Sequence, residues 1–315
     1  MTARDDFLAS LDAIREAASY SALLHSAPAP GTNIDATRAA LLRRGLMVVA
    51  FVSLEAFLKD RFAELLELLS GTSMRFVDLP PALQQATTRG VLEATVVQAR
   101  MSDSTDGSLL DVLQDAGAAV GCTALGPGNI RLHRFAFGHA SSNLKADDIK
   151  DALAALNVKD PWDEIRVVAD RAGLGALPLL GPYQEAYRRR NRAAHRADAA
   201  VAVTDLQTFV NQALGVGLGF DVVASRACRR LRDGDAVLAS GPKAAVTPQI
   251  GFRFVDPRPR GFAEILLGAQ RAVHVGASLT AVATSAQTRA IARREVLIIR
   301  DRRHMPTSWI CGDAP

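Results

Sequence analysis

Residues 36–69, ATRAALLRRGLMVVAFVSLEAFLKDRFAELLELL, run without a proline and stop at Ser70-Gly71. That is about nine helical turns. Asp35 precedes the run as a capping residue, and glycine follows as a terminator. The apolar positions include Leu46, Val49, Phe57, Leu65 and Leu69, and the middle, LMVVAFVSLEAFL, is apolar on nearly every side. Such a helix is buried by several neighbours or by a partner chain. One long central helix, and with it a mainly α architecture, is therefore expected. Glu55 lies inside the apolar stretch, where a carboxylate is costly without a partner.

Other segments fit around this helix. Phe7, Leu11, Ile14, Ala18 and Ser21 recur every three or four residues, which predicts a helix with a narrow apolar stripe, and SAPAPGTN at 26–33 breaks it. A third helix is expected from Pro80-Pro81 to about Met101. SDSTDG at 102–107 reads as a loop, and LLDVLQDAGAAV at 109–120 as a short helix. Residues 121–143 are rich in glycine and poor in helix signal. Two short helices, over 144–156 and 162–172, precede one from about Tyr183 to His195. Thr204-Asp-Leu-Gln207 reads as a capping box that opens a helix to about Leu231. After Asp233-Gly234, VLAS (237–240), IGFRFVD (250–256), AVHVG (272–276) and REVLIIRD (294–301) read as short strands between turns. The expected organisation is a helical domain over 1–232 and a small α/β or β-containing unit over 233–315. The second is near the lower size limit for an independent core.

Composition narrows the function classes. Hydrophobic residues are 49% of the chain and aromatics only 5%, so the core is expected to be aliphatic, rich in helix-favouring leucine and alanine. The start, MTARDDFLAS, lacks the basic region and apolar run of a signal peptide, and no window approaches the length of a membrane span. Cys122, Cys228 and Cys311 are odd in number and far apart, forming neither a disulfide framework nor a zinc motif. A cytoplasmic location is expected. The net charge is +4 and nearly all of the basic side is arginine, compatible with a nucleic-acid partner. A GC-rich coding sequence also produces such a bias.

The arginines concentrate in YRRRNRAAHRADAAV, residues 187–201. Arg190 and His195 form an R-x4-H pair there, and Arg134 and His139 form another. With arginine near a tenth of the chain, chance supplies about 0.6 such pairs, so one of the two is expected to be accidental. The first is favoured. Its arginine is followed by Asn191, it ends an amphipathic helix, and further arginines surround it. On an ideal helix Asn191 and His195 share a face, whereas Arg190 lies about 140° from His195. Arg190 must reach round, or the helix must loosen near Ala194, or two chains must cooperate. Chemically, a histidine moves protons near neutral pH and an arginine fork stabilises charge on a phosphorane. The 2′-hydroxyl of RNA supplies its own nucleophile. Neither cofactor nor metal is expected, since His133 and His139 lack a carboxylate or cysteine at ligand spacing. Two other readings stand: a solvated helix end, where basic residues favour the C-terminal dipole, and a binder of DNA phosphates.

RNRAAH resembles the R-N-x3-H motif of HEPN domains, which are helical and often dimeric. The run VSLEAFLKDRFAELL resembles their first core helix, and SSNLKADDIKDALAALNVKDPW resembles an insert of the RiboL-PSP-like branch. The likeness covers about residues 35–230. It implies a HEPN-type helical bundle with inserted short helices. It also implies a metal-independent endoribonuclease leaving a 2′,3′-cyclic phosphate, of a kind often serving as a toxin or in phage defence. Arg190, Asn191 and His195 from two protomers would then line one cleft, and Glu55 matches an acidic position of the first core helix. Arg188, Arg189, Arg192 and Arg196 are the expected RNA-binding residues. The implied partners are RNA, a second copy, and an antitoxin or regulatory protein, with no membrane. The alternative is a non-catalytic HEPN scaffold that binds RNA or a protein. Among remaining features, GVGLGF at 215–220 follows no strand, so Gly215 and Gly219 are expected to serve close helix packing. Arg226, Arg229, Arg230 and Arg232 either extend an RNA surface or form a solvated helix end.

Overall fold

A computed structural model of the protein describes residues 2–20, 34–70, 72–101, 108–126, 128–140, 143–175 and 178–314. The expected breaks at 26–33 and 102–107 lie outside the described residues. The chain is mainly helical, 65% helix and 10% strand, with a small C-terminal mixed sheet. No helix among the described residues is long and apolar enough to cross a membrane. Two compact units are present, one from residues 1–58 and 178–217, the other from 59–177 and 218–315. The boundary expected near 233 follows the change from helices to strands. The compact units instead divide within two long helices, and the sheet belongs to the second unit with residues 59–177 and 218–232.

The first unit contains α1 (Ala3–Ala18), the larger part of α2 (Ile34–Leu69), α8 (Leu180–His195) and the first half of α9 (Val203–Arg232). The α1 stripe Phe7, Leu11, Ile14 and Ala18 is buried, as its spacing predicts. Phe7 stacks on Phe57 at 4.5 Å between ring centres. Gly217 makes room for that ring, because a Cβ there would lie 2.7 Å from Phe7 Cε1. Phe51 packs against Tyr183, Tyr187 and Phe209 with ring centres 5.5, 6.0 and 5.7 Å away. The middle of α2 is not buried all round. Met47, Ala50, Phe51, Leu54, Phe57 and Leu58 are buried, while Leu41, Leu42, Val49 and Val52 are exposed. Two helix starts also differ from expectation. Asp35 lies inside the first turn of α2 rather than before it. At α9 the Asp205 carboxylate accepts from Ala202 N–H at 3.0 Å, so only the carboxylate half of a capping box forms, and it closes on Ala202, two residues before Thr204.

The second unit continues from α2 into α3 (Pro81–Gln85), a π turn over 86–90 and α4 (Val91–Met101), with Pro80-Pro81 at the start as expected. Then follow α5 (Ser108–Cys122), α6 (Ala146–Ala155) and α7 (Pro161–Ala169). Close packing sits at Gly217 and Gly219. A Cβ on Gly219 would meet the Ile165 carbonyl oxygen at 2.7 Å, so α9 and α7 touch backbone to backbone. VLAS is helical, in α10 (Ala236–Ser240), because the Asp235 carboxylate caps it by accepting from Val237 and Leu238 N–H. The sheet consists of β1 (Phe252–Arg258), β2 (Gly261–Leu266), β3 (His274–Gly276), β4 (Val296–Arg300) and β5 (Pro306–Cys311), in the order β3-β2-β1-β4-β5. β1 and β4 are parallel and the other pairs antiparallel. The crossover is α11 (Leu279–Arg293), whose Val282, Ala286 and Ala290 pack on Val255 and Leu297. A buried ion pair ties β5 to the helices. Asp221 accepts from Arg61 Nε at 2.7 Å, Trp309 Nε1 at 2.7 Å and Ser225 Oγ at 2.9 Å.

Candidate functional site

The motif stands on α8, which packs antiparallel to α2. Phe51 lies against Tyr183 and Tyr187, whereas Arg44, seven residues earlier, reaches Ala193 and Ala197. The last turn of any helix leaves carbonyls without internal donors. Here Arg44 supplies them. Its Nε and Nη2 donate to Ala193 O at 3.2 and 3.1 Å, and Nη1 to Ala197 O at 2.9 Å. Next to it, the fully buried Arg43 donates from Nε to Val201 O at 2.8 Å, and burial lowers its pKa. The two arginines bracket the chain just before and after His195.

The helix is unbroken through His195, so it does not loosen near Ala194. His195 is exposed. On this helix it lies about 40° from Asn191, about 20° from Arg188 and about 60° from Arg192. These groups share the outward face. Arg190 lies on the inward side with buried Tyr183, Ala186 and Ala193. Its Nη1 donates to Asn191 Oδ1 at 3.1 Å, and its buried Nε has no hydrogen-bond partner among the described residues. Asn191 thus connects the two faces, holding Arg190 with its amide oxygen on one side and neighbouring His195 on the other.

The flanking arginines divide. Arg189 pairs with Asp205 at 3.2 Å, which holds α8 to the start of α9. Glu185 stands 3.1 Å from Arg192, 3.6 Å from Arg188 and 3.9 Å from Arg189. One carboxylate therefore tempers three cations, and the site is less positive than its sequence. Arg188, Arg192 and Arg196 remain exposed. Arg189, Arg192, Arg196 and Asp198 line a recess of about 310 Å³. Glu185, Asp205 and Arg44 are participants that the arginine pattern alone does not single out. The one sequence signal was the Arg43-Arg44 pair, two cations inside an apolar helix.

Glu55 is only 5% exposed, on α2. It stands eleven residues beyond Arg44 on an unbroken helix, about 16 Å along the axis from the residue that contacts the end of α8. Within one chain the structure brings Arg190, Asn191 and His195 onto one turn and a half, and does not bring Glu55 to His195.

The second R-x4-H pair lies in the other unit, where His139 packs on Phe135 with ring centres 4.9 Å apart and its buried Nε2 has no hydrogen-bond partner among the described residues. Arg134 pairs with Asp60 at 3.0 Å. His133 Nε2 meets Asp115 at 3.0 Å, and its Nδ1 accepts from Phe135 N–H at 3.1 Å, so Nε2 carries the proton. Folding thus brings a carboxylate to His133 that the local sequence spacing does not. Both ring nitrogens are then engaged. Burial holds the His133 pKa below the ordinary histidine value, against the opposing pull of Asp115. Among the described residues no group of three or more histidine, cysteine or acidic side chains is placed to hold a metal ion. Arg226, Arg229, Arg230 and Arg294 pair with Asp313, Asp233 and Asp235, which favours a structural role at the end of α9. No protein-family model, curated protein or solved structure matches the chain.

Proposed function

We propose that the chain is a metal-independent endoribonuclease of the HEPN type that cleaves RNA by attack of a 2′-hydroxyl on the adjacent phosphate. The observation that carries the reading is the exposed His195 at the end of α8, beside Asn191 and the cationic Arg188 and Arg192. Arg188, Arg192 and Arg196 bind the phosphate backbone. His195 transfers the proton of the 2′-hydroxyl or of the leaving 5′-oxygen. The guanidinium of Arg190 stabilises charge on the phosphorane. Because Arg190 and His195 diverge on one helix, the complete site uses two copies, each contributing its α8. The exposed apolar residues Leu42, Val49 and Val52 on α2 supply a surface suited to a second copy. The RNA target class fits a toxin or phage-defence effector held in check by an antitoxin or regulatory protein.

The partial withdrawal of Arg190 and the tempering of the arginines by Glu185 favour a second reading, a scaffold that binds RNA without cutting it. One experiment separates the two. Matched RNA and all-deoxy oligonucleotides are incubated with the protein, with and without chelator, and the new ends are analysed by mass. RNA is expected to yield a 2′,3′-cyclic phosphate with or without chelator, and the deoxy strand to bind uncut. His195→Ala abolishes cleavage, and Arg190→Lys lowers the rate about 10- to 1,000-fold. Binding of RNA without products supports the scaffold. Cleavage of the deoxy strand or a 3′-hydroxyl product defeats the proposed mechanism.

A further inference from the structure

Strand β3 is an open edge of the sheet. It pairs on one side only, through Phe262 with Gly276, Ala263 with Val275 and Glu264 with His274. Val273 N–H donates to Glu264 O at 2.7 Å and Leu267 N–H to Phe252 O at 2.9 Å, so the backbone groups of Glu264 face β3 and those of its partner His274 face β2. Alternation then turns the N–H and C=O of Val275, opposite Ala263, to the open side. Such an edge is a template for another strand. Its surroundings are apolar, because Leu267, Val273, Val275 and Leu279 are all exposed, Val275 by 58%.

Charge adds a second, independent constraint. Residues 257–294 contain six arginines and one carboxylate, Glu264. That carboxylate is fully buried and paired with Arg253 and Arg289. Arg258, Arg260, Arg271 and His274 are exposed. The turn that carries Arg258 and Arg260 is set beside the end of β3, where Gly261 packs against the Gly276 carbonyl.

We propose that β3 takes up an extended segment of a partner protein, one with acidic residues alternating with apolar ones, as an added strand of the sheet. The main chain supplies the hydrogen bonds, the valines bury the apolar side chains, and the arginines select for carboxylates. A second copy fits less well, because a two-fold contact between identical cationic edges brings arginines of one copy towards arginines of the other and supplies no exposed carboxylate. A nucleic acid also fits less well. Unpaired bases stack on exposed aromatic rings, whereas Phe252, Phe254 and Trp309 are buried and the edge presents valine and leucine. The proposal does not depend on RNA cleavage.

The test uses the full chain with two blocked peptides, valine alternating with glutamate and valine alternating with lysine. Affinity is read by fluorescence anisotropy and location by hydrogen exchange. The glutamate peptide is expected to bind and to slow exchange at Val275, and the lysine peptide to bind at least about tenfold more weakly. Arg271→Glu lowers affinity for the glutamate peptide about tenfold. Val275→Pro removes the outward donor without touching the β2 ladder and abolishes binding of the glutamate peptide. If that variant does not fold, Arg271→Glu decides alone, since Arg271 is an exposed loop residue. Equal binding of the two peptides, protection away from β3, or unchanged affinity in Arg271→Glu overturns the proposal. So does self-association through β3, or an RNA oligonucleotide that protects the same amides.

Discussion

Replacing Arg44 by alanine strips three N–H donors from the final turn of α8. They reach the Ala193 carbonyl at 3.2 and 3.1 Å and the Ala197 carbonyl at 2.9 Å. A hydrogen bond from a charged donor contributes about 1.5–3 kcal/mol. Two of the three share one acceptor, and water can replace the bond to the exposed Ala197 carbonyl, so the contributions do not add. Losing a cation at a helix C-terminus costs about 0.3–1 kcal/mol more. The net expectation is about 2–3 kcal/mol, confined to the last turn. That turn should open roughly 30- to 140-fold more often. Native-state hydrogen exchange reads this directly at the amides of 193–196, including Arg196 N–H, which donates to Arg192 O at 2.9 Å. Amides in the middle of α2, such as Phe51 and Leu54, should be unaffected. Arg44→Lys keeps the charge but not the fork, and should recover only the dipole contribution. If 193–196 exchange unchanged in Arg44→Ala, the clamp contributes nothing. If every amide accelerates by the same factor, Arg44 acts on global stability and not on the turn that holds His195.

Two further predictions concern packing and pH. Gly219→Ala drives a methyl to within 2.7 Å of a backbone oxygen of Ile165 and should cost about 1–3 kcal/mol, whereas Gly117→Ala in α5, with nothing within 4 Å, should gain about 0.8–1 kcal/mol from helix propensity. Thermal melts of the two variants moving in the same direction would refute the close contact of α7 and α9. Burial, with help from Lys59 and Arg134, pushes His139 from 6.5 down to about 4. It therefore stays neutral in the folded chain while the unfolded chain binds a proton. Its contribution is whole above about pH 6.5 and is lost progressively towards about pH 4. His139→Phe should flatten the fall in melting temperature between about pH 7 and about pH 5, and an unchanged slope counts against a buried neutral imidazole.

What the sequence alone determined here is mostly local. The 3.6-residue spacing of Phe7, Leu11, Ile14 and Ala18 specified both a helix and its buried face, because that period survives in any surroundings. The starts at Pro80-Pro81 and the glycine-poor run of α2 were legible for the same reason. Strand β2 and helix α11 were not legible. Glu264 occupies the centre of β2, tolerable only because Arg253 and Arg289 meet it from elsewhere in the chain, and α11 is rich in threonine and alanine with few large apolar residues. VLAS has strand-like residues, but one aspartate bonded to two amides makes it a helix. In the candidate site the motif residues could be read from the string RNRAAH. Their geometry could not. That Arg190 turns inward, that Glu185 tempers three arginines, that Arg44 holds the last turn, and that Glu55 stands apart from His195 all depend on how α2 lies against α8. Spacing along a chain fixes which residues share a helix face. Only the packing of one helix on another decides which face meets water, and which distant charge arrives to meet it.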